Sequence, residues 1–196
     1  MKATVRFFLS LFFILAFCAP ALPERLPEPL VEYSADTVVT AGGRVTLGKV
    51  YHAPYMERQE ERVDGRTQVV ITRMDLKLVW ILMPAERSYV ELPVSEAMGR
   101  SRSPADLDYK YTTVGPDLVN GTLTTKSAMQ ATAPDGTAYE GYIWVTREGI
   151  LVKMTSMIRG MPGTEYSMEL KRLRTGAQPR SLFNVPKGYR KLAPGR

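Results

Sequence analysis

A chain of 196 residues, 44% apolar and 23% charged, is long enough for one domain with a real hydrophobic core. Its 26 Lys and Arg outnumber 20 Asp and Glu, for a formal charge of +6, yet the two signs are interleaved, as in Met56–Arg62 (MERQEER). No basic cluster alternates with aromatics, which argues against nucleic acid, and a single cysteine, Cys18, excludes a disulfide framework.

Residues 1–21 predict a cleavable export signal. Lys2 and Arg6 give a positive start, and Phe7–Cys18 (FFLSLFFILAFC) is an apolar run of signal-peptide length, well short of the roughly 20 residues a spanning helix needs. Ala19-Pro20-Ala21 offers small residues for cleavage. A cut after Ala19 would place Pro20 beside the scissile bond, so the expected cut follows Ala21. Lipid attachment at Cys18 is the rival route, disfavoured by the bulky Phe17 before it. Cleavage lowers the formal charge from +6 to +4 and removes five of the six Phe, leaving Phe183. The exported part then carries ten Tyr, two Trp and nine Met, a mix of amphipathic aromatics and adaptable thioethers suited to an apolar cavity as well as to an ordinary core.

Residues 22–32 (LPERLPEPLVE) form a leader whose Pro23, Pro27 and Pro29 keep it extended. From residue 33 the chain reads as strand, turn, strand. Strands are predicted over 33–40, 44–52, 55–63 and 66–74, with Gly42-Gly43 and Asp64-Gly65 as hairpin turns. The third of these is polar on both sides and reads as exposed. Lys77–Met83 (KLVWILM) is apolar on both sides, which predicts a strand covered on both faces, and 88–92 follows it. Pro93–Asp108 shows no alternation, and a short helical turn or flap is expected there. Strands resume over 118–133, 137–146, 150–158 and 164–173, with short connections that favour antiparallel neighbours. Ser181–Leu192 (SLFNVPKGYRKL) reads as a capping segment carrying Phe183 and Val185. So many antiparallel strands must curl to protect their edges. The expected fold is mainly β, a curved antiparallel sheet or half-barrel with a short helical lid, forming one domain over 33–192.

Chemistry-bearing motifs are scarce. His52 is the only histidine, has no ligand-spaced partner and reads as a surface residue at a strand end. No GxSxG elbow, GxGxxG or P-loop occurs. Glu140, Glu148, Glu165 and Glu169 lie on or near adjacent strands, so a carboxylate-based hydrolase is a remote alternative; charged strands on a solvated face explain them equally well. Asn120-Gly121-Thr122 matches a glycosylation sequon. No catalytic residue, metal ligand or cofactor is assigned.

Three stretches, Ile71–Pro93 (ITRMDLKLVWILMPAERSYVELP), Asp135–Met154 (DGTAYEGYIWVTREGILVKM) and Glu165–Leu192, together resemble bacterial periplasmic proteins with the fold of the lipoprotein carriers LolA and LolB. The resemblance covers most of 33–192. It implies a curved sheet around an apolar cavity that holds acyl chains, with Leu78, Trp80, Leu82, Trp144, Met154, Tyr166 and Met168 as candidate lining residues. The expected function is a periplasmic, non-enzymatic binding protein for a lipid, a lipidated protein or another apolar ligand, with possible peripheral membrane contact. A structural or adaptor module of the envelope, with a filled core and a protein partner, is the alternative. The lipoprotein carriers have several lid helices, whereas only residues 94–108 can supply one here, which favours a smaller or static binding role.

Overall fold

The computed structural model describes residues 28–63, 65–100, 108–133 and 135–193. The expected signal, most of the leader and residues 101–107 of the flap lie outside them. Twelve strands form one sheet that does not close into a barrel: β1 (Tyr33–Ala41), β2 (Arg44–Ala53), β3 (Met56–Val63), β4 (Arg66–Arg73), β5 (Leu78–Met83), β6 (Ser88–Pro93), β7 (Asp108–Val119), β8 (Thr122–Thr132), β9 (Ala138–Val145), β10 (Leu151–Ile158), β11 (Tyr166–Thr175) and β12 (Arg190–Leu192). Their order is β12-β6-β5-β4-β3-β2-β1-β11-β10-β9-β8-β7. Hairpins build each half, and β1 joins the halves by pairing with both β2 and β11. Every pairing is antiparallel except β12 with β6. One short helix, α1 (Val94–Arg100), follows β6.

The register defines two faces. One row runs Ser34–Tyr51–Arg58–Ile71–Trp80–Glu91 across β1 to β6. The C-terminal tail lies on this side, with a 3-10 turn at Arg180–Phe183, so it is called the tail face. The next row, Tyr33–His52–Glu57–Thr72–Val79–Leu92, points the other way. There Val79 and Leu92 are buried beside α1, which contacts β5 and β6; this is the helix face. Burial of Val79 on one face and Leu82 on the other is the double covering that the apolar run 77–83 predicts.

Two glycines show which way the sheet bends. A Cβ on Gly141 would stand 1.9 Å from the Thr155 carbonyl oxygen, and one on Gly48 2.4 Å from that of Glu60. Both positions pair with helix-face residues, Gly141 with Met129 and Ser156, Gly48 with Thr37. Strands approach so closely on that side only where the side chain is absent, so the sheet curls toward the helix face. Bulges at Ser34/Asp36, Leu151/Lys153 and Thr113/Gly115 add to the coiling.

Three local readings change. Residues 108–132 form a hairpin, β7–β8, where the sequence reading placed one strand from 118 and no strand before it. Its turn is Asn120-Gly121, both left-handed (φ 50° and 78°), a pairing that favours two-residue hairpin turns. The polar strand β3 lies inside the sheet between β2 and β4, its Arg58 side chain only 14% exposed. His52, also a sheet-interior residue, is 13% exposed and stacks on Tyr33 with ring centroids 5.1 Å apart.

Candidate functional site

The sheet distributes the seven candidate lining residues over three places. Leu78, Trp80 and Leu82 alternate onto the tail face of β5. Leu82 is buried with Ala53, Val69, Ile71 and Phe183, and Trp80 packs against the same cluster. Phe183, fully buried, seals this cluster. Two arginines hold the tail down: Arg58 donates to the Leu182 carbonyl (3.0 Å) and Arg73 to the Phe183 carbonyl (3.2 Å). Arg73 also lies 5.8 Å from the Trp80 ring centre. Trp80 Nε1 donates to Glu91 (2.9 Å), and Lys191 on the tail donates to the other Glu91 oxygen (2.7 Å). Those two donors, Lys191 first, hold the Glu91 carboxyl below its usual range. Trp80 and Leu82 are therefore engaged by the chain's own tail.

Trp144 occupies a second place, beneath the β7–β8 hairpin. Its Nε1 donates to Asp117 (2.8 Å), and Lys126 and Lys153 stand 5.1 and 5.0 Å from its ring centre. Asn120 at the hairpin tip donates to Glu169 (2.8 Å) and to the Leu170 carbonyl (2.9 Å). The Asp117 carboxyl is held below its usual range by the Trp144 N–H first, then the Leu118 backbone N–H, with Lys126 and Lys153 adding to it. Trp144 and Val119 join one buried cluster with Ile150 and Val152, so the hairpin is latched to the sheet by a buried indole.

Met154, Tyr166 and Met168 come together on the helix face. Met154 and Met168 are direct cross-strand partners, in a row that runs Ile143–Met154–Met168–Val39 over β9, β10, β11 and β1. A second apolar row, Val90–Ile81–Val70, lies on the other half of the same face. Between them stand the polar Gln59, Glu57 and His52 and the buried Val50 and Ala35. Burial raises the Tyr33 hydroxyl well above the usual tyrosine value, and Glu57 adds to this; Tyr166 is raised likewise, by burial and then by Glu61. Val39, Val70, Ile81 and Val90 are half-buried, and none of them joins a core cluster among the described residues.

A groove of about 530 Å³ opens on the tail face, beside the tail. Val38 and Leu47 line it together with Lys49, Arg62, Thr67 and Lys171, and none of the seven candidate residues does. Of its three carboxylates, Asp36 and Glu60 are engaged, by Arg172 and by Arg58 (2.7 Å), and Glu61 is the third.

No protein-family model matches the sequence, and no curated protein matches it. Solved structures do match. An uncharacterized conserved protein from Thermus thermophilus superposes with a TM-score of 0.58 at 14% identity, over 84% of this chain and 91% of that one. MucB superposes with a TM-score of 0.56 at 15% identity, over 82% of this chain; the match spans only 59% of the MucB chain. The LolA superfamily protein NE2245 from Nitrosomonas europaea matches over 81% of this chain and 92% of its own, with 9% identity and a TM-score of 0.43. This chain shares its fold with the Thermus protein and with MucB.

Of the four carboxylates singled out from sequence, Glu148 is exposed and the other three have partners of their own. Glu140 pairs with Arg159 (3.1 Å), Glu169 with Lys153 (3.8 Å) and Asn120, and Glu165 accepts from the Gly163 backbone N–H (3.1 Å). Sequence reasoning missed the groove. Val38, Leu47, Lys49, Arg62 and Lys171 form no motif and meet only through the pairing of β3, β2, β1 and β11. The β7–β8 latch, by contrast, had a signal in Asn120-Gly121, which also fits a sequon.

Proposed function

We propose that this chain is an exported, non-enzymatic binding protein of the cell envelope that takes an apolar ligand, a lipid or lipid-modified partner, on the helix face of its sheet. One observation carries the reading. Val39, Val70, Ile81 and Val90 project from interior strands into the bend of the sheet, partly exposed and outside every core cluster among the described residues. Apolar side chains left open in rows on a curved face mark a surface that gains by burial against something else. Tyr166 and Met168 extend the same floor, Met154 is buried with Tyr109, Met129 and Ile143, and Trp80, Leu82 and Trp144 belong to the tail and hairpin packing. Export rests on the n-region and apolar run of residues 1–21, with cleavage after Ala21. The engagement of Glu140, Glu165 and Glu169 by other groups favours binding over hydrolysis.

Native mass spectrometry of protein taken from a periplasm, with displacement of a fluorescent fatty acid, tests this. A co-purifying lipid and at least tenfold weaker probe binding by Ile81→Arg are expected. Absence of both lipid and probe binding in the wild-type chain would overturn the reading.

A further inference from the structure

We infer that the tail-face groove is a second site, for an anionic amphiphile: an aliphatic chain bearing a phosphate or carboxylate head. It is independent of the helix-face reading, because its walls are the opposite sides of β1 to β4 together with β11.

The register builds the groove in two rows. Asp36, Lys49 and Glu60 form one, and Val38, Leu47, Arg62 and Thr67 the next. Leu47 is 63% exposed, and Val45 beyond it 59%. These aliphatics stand on strands at the centre of a twelve-stranded sheet, where the tail covers the neighbouring rows and leaves these open. Charge is distributed unevenly around them. Asp36 is taken by Arg172, and Glu60 by Arg58, whose guanidinium is itself tied to the tail carbonyl of Leu182. Glu61 lines the groove too, although strand alternation puts it on the helix face, where its charge acts on Tyr166. Lys49, Arg62 and Lys171 have no carboxylate partner among the described residues. Three cations without a carboxylate partner thus rim an aliphatic floor where two of the three lining acids, Asp36 and Glu60, are neutralised. A monovalent or divalent anionic head would find donors at the rim, and the first methylenes of its chain would cover Val38 and Leu47. The volume of about 530 Å³ lies within the usual range for small-molecule sites.

Calorimetric titration of the intact exported chain with lysophosphatidylglycerol, kept below its micelle concentration, tests the site. Binding is expected, at least tenfold tighter than for lysophosphatidylcholine and for inorganic phosphate. The triple variant Lys49→Gln/Arg62→Gln/Lys171→Gln should lose at least tenfold and Leu47→Asn several-fold. All four side chains lie at the open groove, and unchanged thermal melting would show that the variants fold. Ile81→Arg on the helix face should leave the affinity unchanged. Wild-type affinity in the triple variant, equal binding of the zwitterionic lipid, or equal binding of phosphate alone would overturn the site. A loss caused by Ile81→Arg with none from the groove variants would also overturn it, while leaving the helix-face reading intact.

Discussion

Tyr33 joins the sheet, the helix face and the N-terminal entry in one residue. It is 6% exposed, stacks on His52 and lies near Glu57, so its phenolate is disfavoured by lost solvation first and by the carboxylate second. A hydroxyl raised in the folded state keeps its proton while the unfolded chain loses it above about pH 10. The folded chain then holds more protons, and stability rises with pH only where the reverse holds, so the Tyr33 contribution is the opposite of a carboxylate's. An unfolded chain that sheds its proton gains stability relative to the folded one, and the folded state therefore loses ground as pH climbs past the unfolded tyrosine value. Denaturant titrations across the alkaline range should show a decline beginning near pH 10, and Tyr33→Phe should flatten it. Equal slopes for the two proteins would rule out Tyr33 as its source, and Tyr166, shifted the same way, would be next to test.

The β7–β8 hairpin shows what an element adds that no residue states alone. Asn120-Gly121 carries a turn signal that a single strand over 118–133 passes over, and what the turn delivers is not in the sequence at all: it brings Asn120 to Glu169 and Leu170, roughly fifty positions away. Trp144 was legible as an apolar strand residue; its clamp by Asp117, Lys126 and Lys153 comes from two neighbouring strands and a folded-over hairpin. A polar tip thus holds the hairpin while Leu118 and Leu123 on its outer side stay 67% and 68% exposed. Because the Asp117 carboxylate is stabilised in the folded state, the latch holds at and above the unfolded carboxylate range. It weakens as pH falls through the lowered folded value, below about pH 4. Trp144 emission should shift to the red only in that acid range. In Asp117→Ala the shifted emission should be present already at neutral pH, with faster amide exchange confined to 117–124. Unchanged emission in the variant would show that the hairpin is held by Val119 packing instead.

At the scale of the molecule, alternation and turn residues were enough for an antiparallel, mainly β fold that curls, because burial of one side of each strand imposes period two on the sequence. They could not assign faces. Trp80 and Met168 read alike along the chain yet stand on opposite sides, since a single residue of register exchanges the two. The tail decides the matter. Phe183, Leu182, Val185 and Tyr189 cover β2 to β6 on one side, and β12 pairs in parallel with the otherwise open edge of β6. A sheet of twelve strands with free ends is exposed to edge pairing, and residues 178–193 protect one end and one face together. Phe183→Ala removes the one phenylalanine among the described residues from a fully buried site, at an expected cost of about 3–5 kcal/mol by chemical denaturation. Truncation after Gly176 should go further. It strips the cover from Trp80 and Leu82, leaves Arg58 and Arg73 without their tail carbonyls, and opens the β6 edge. The truncated chain should bind hydrophobic dye, lose its cooperative melt and associate in gel filtration. A monomeric truncation with a sharp melt would mean that β1 to β11 form the folding unit and that the tail only regulates access to the surface beneath it.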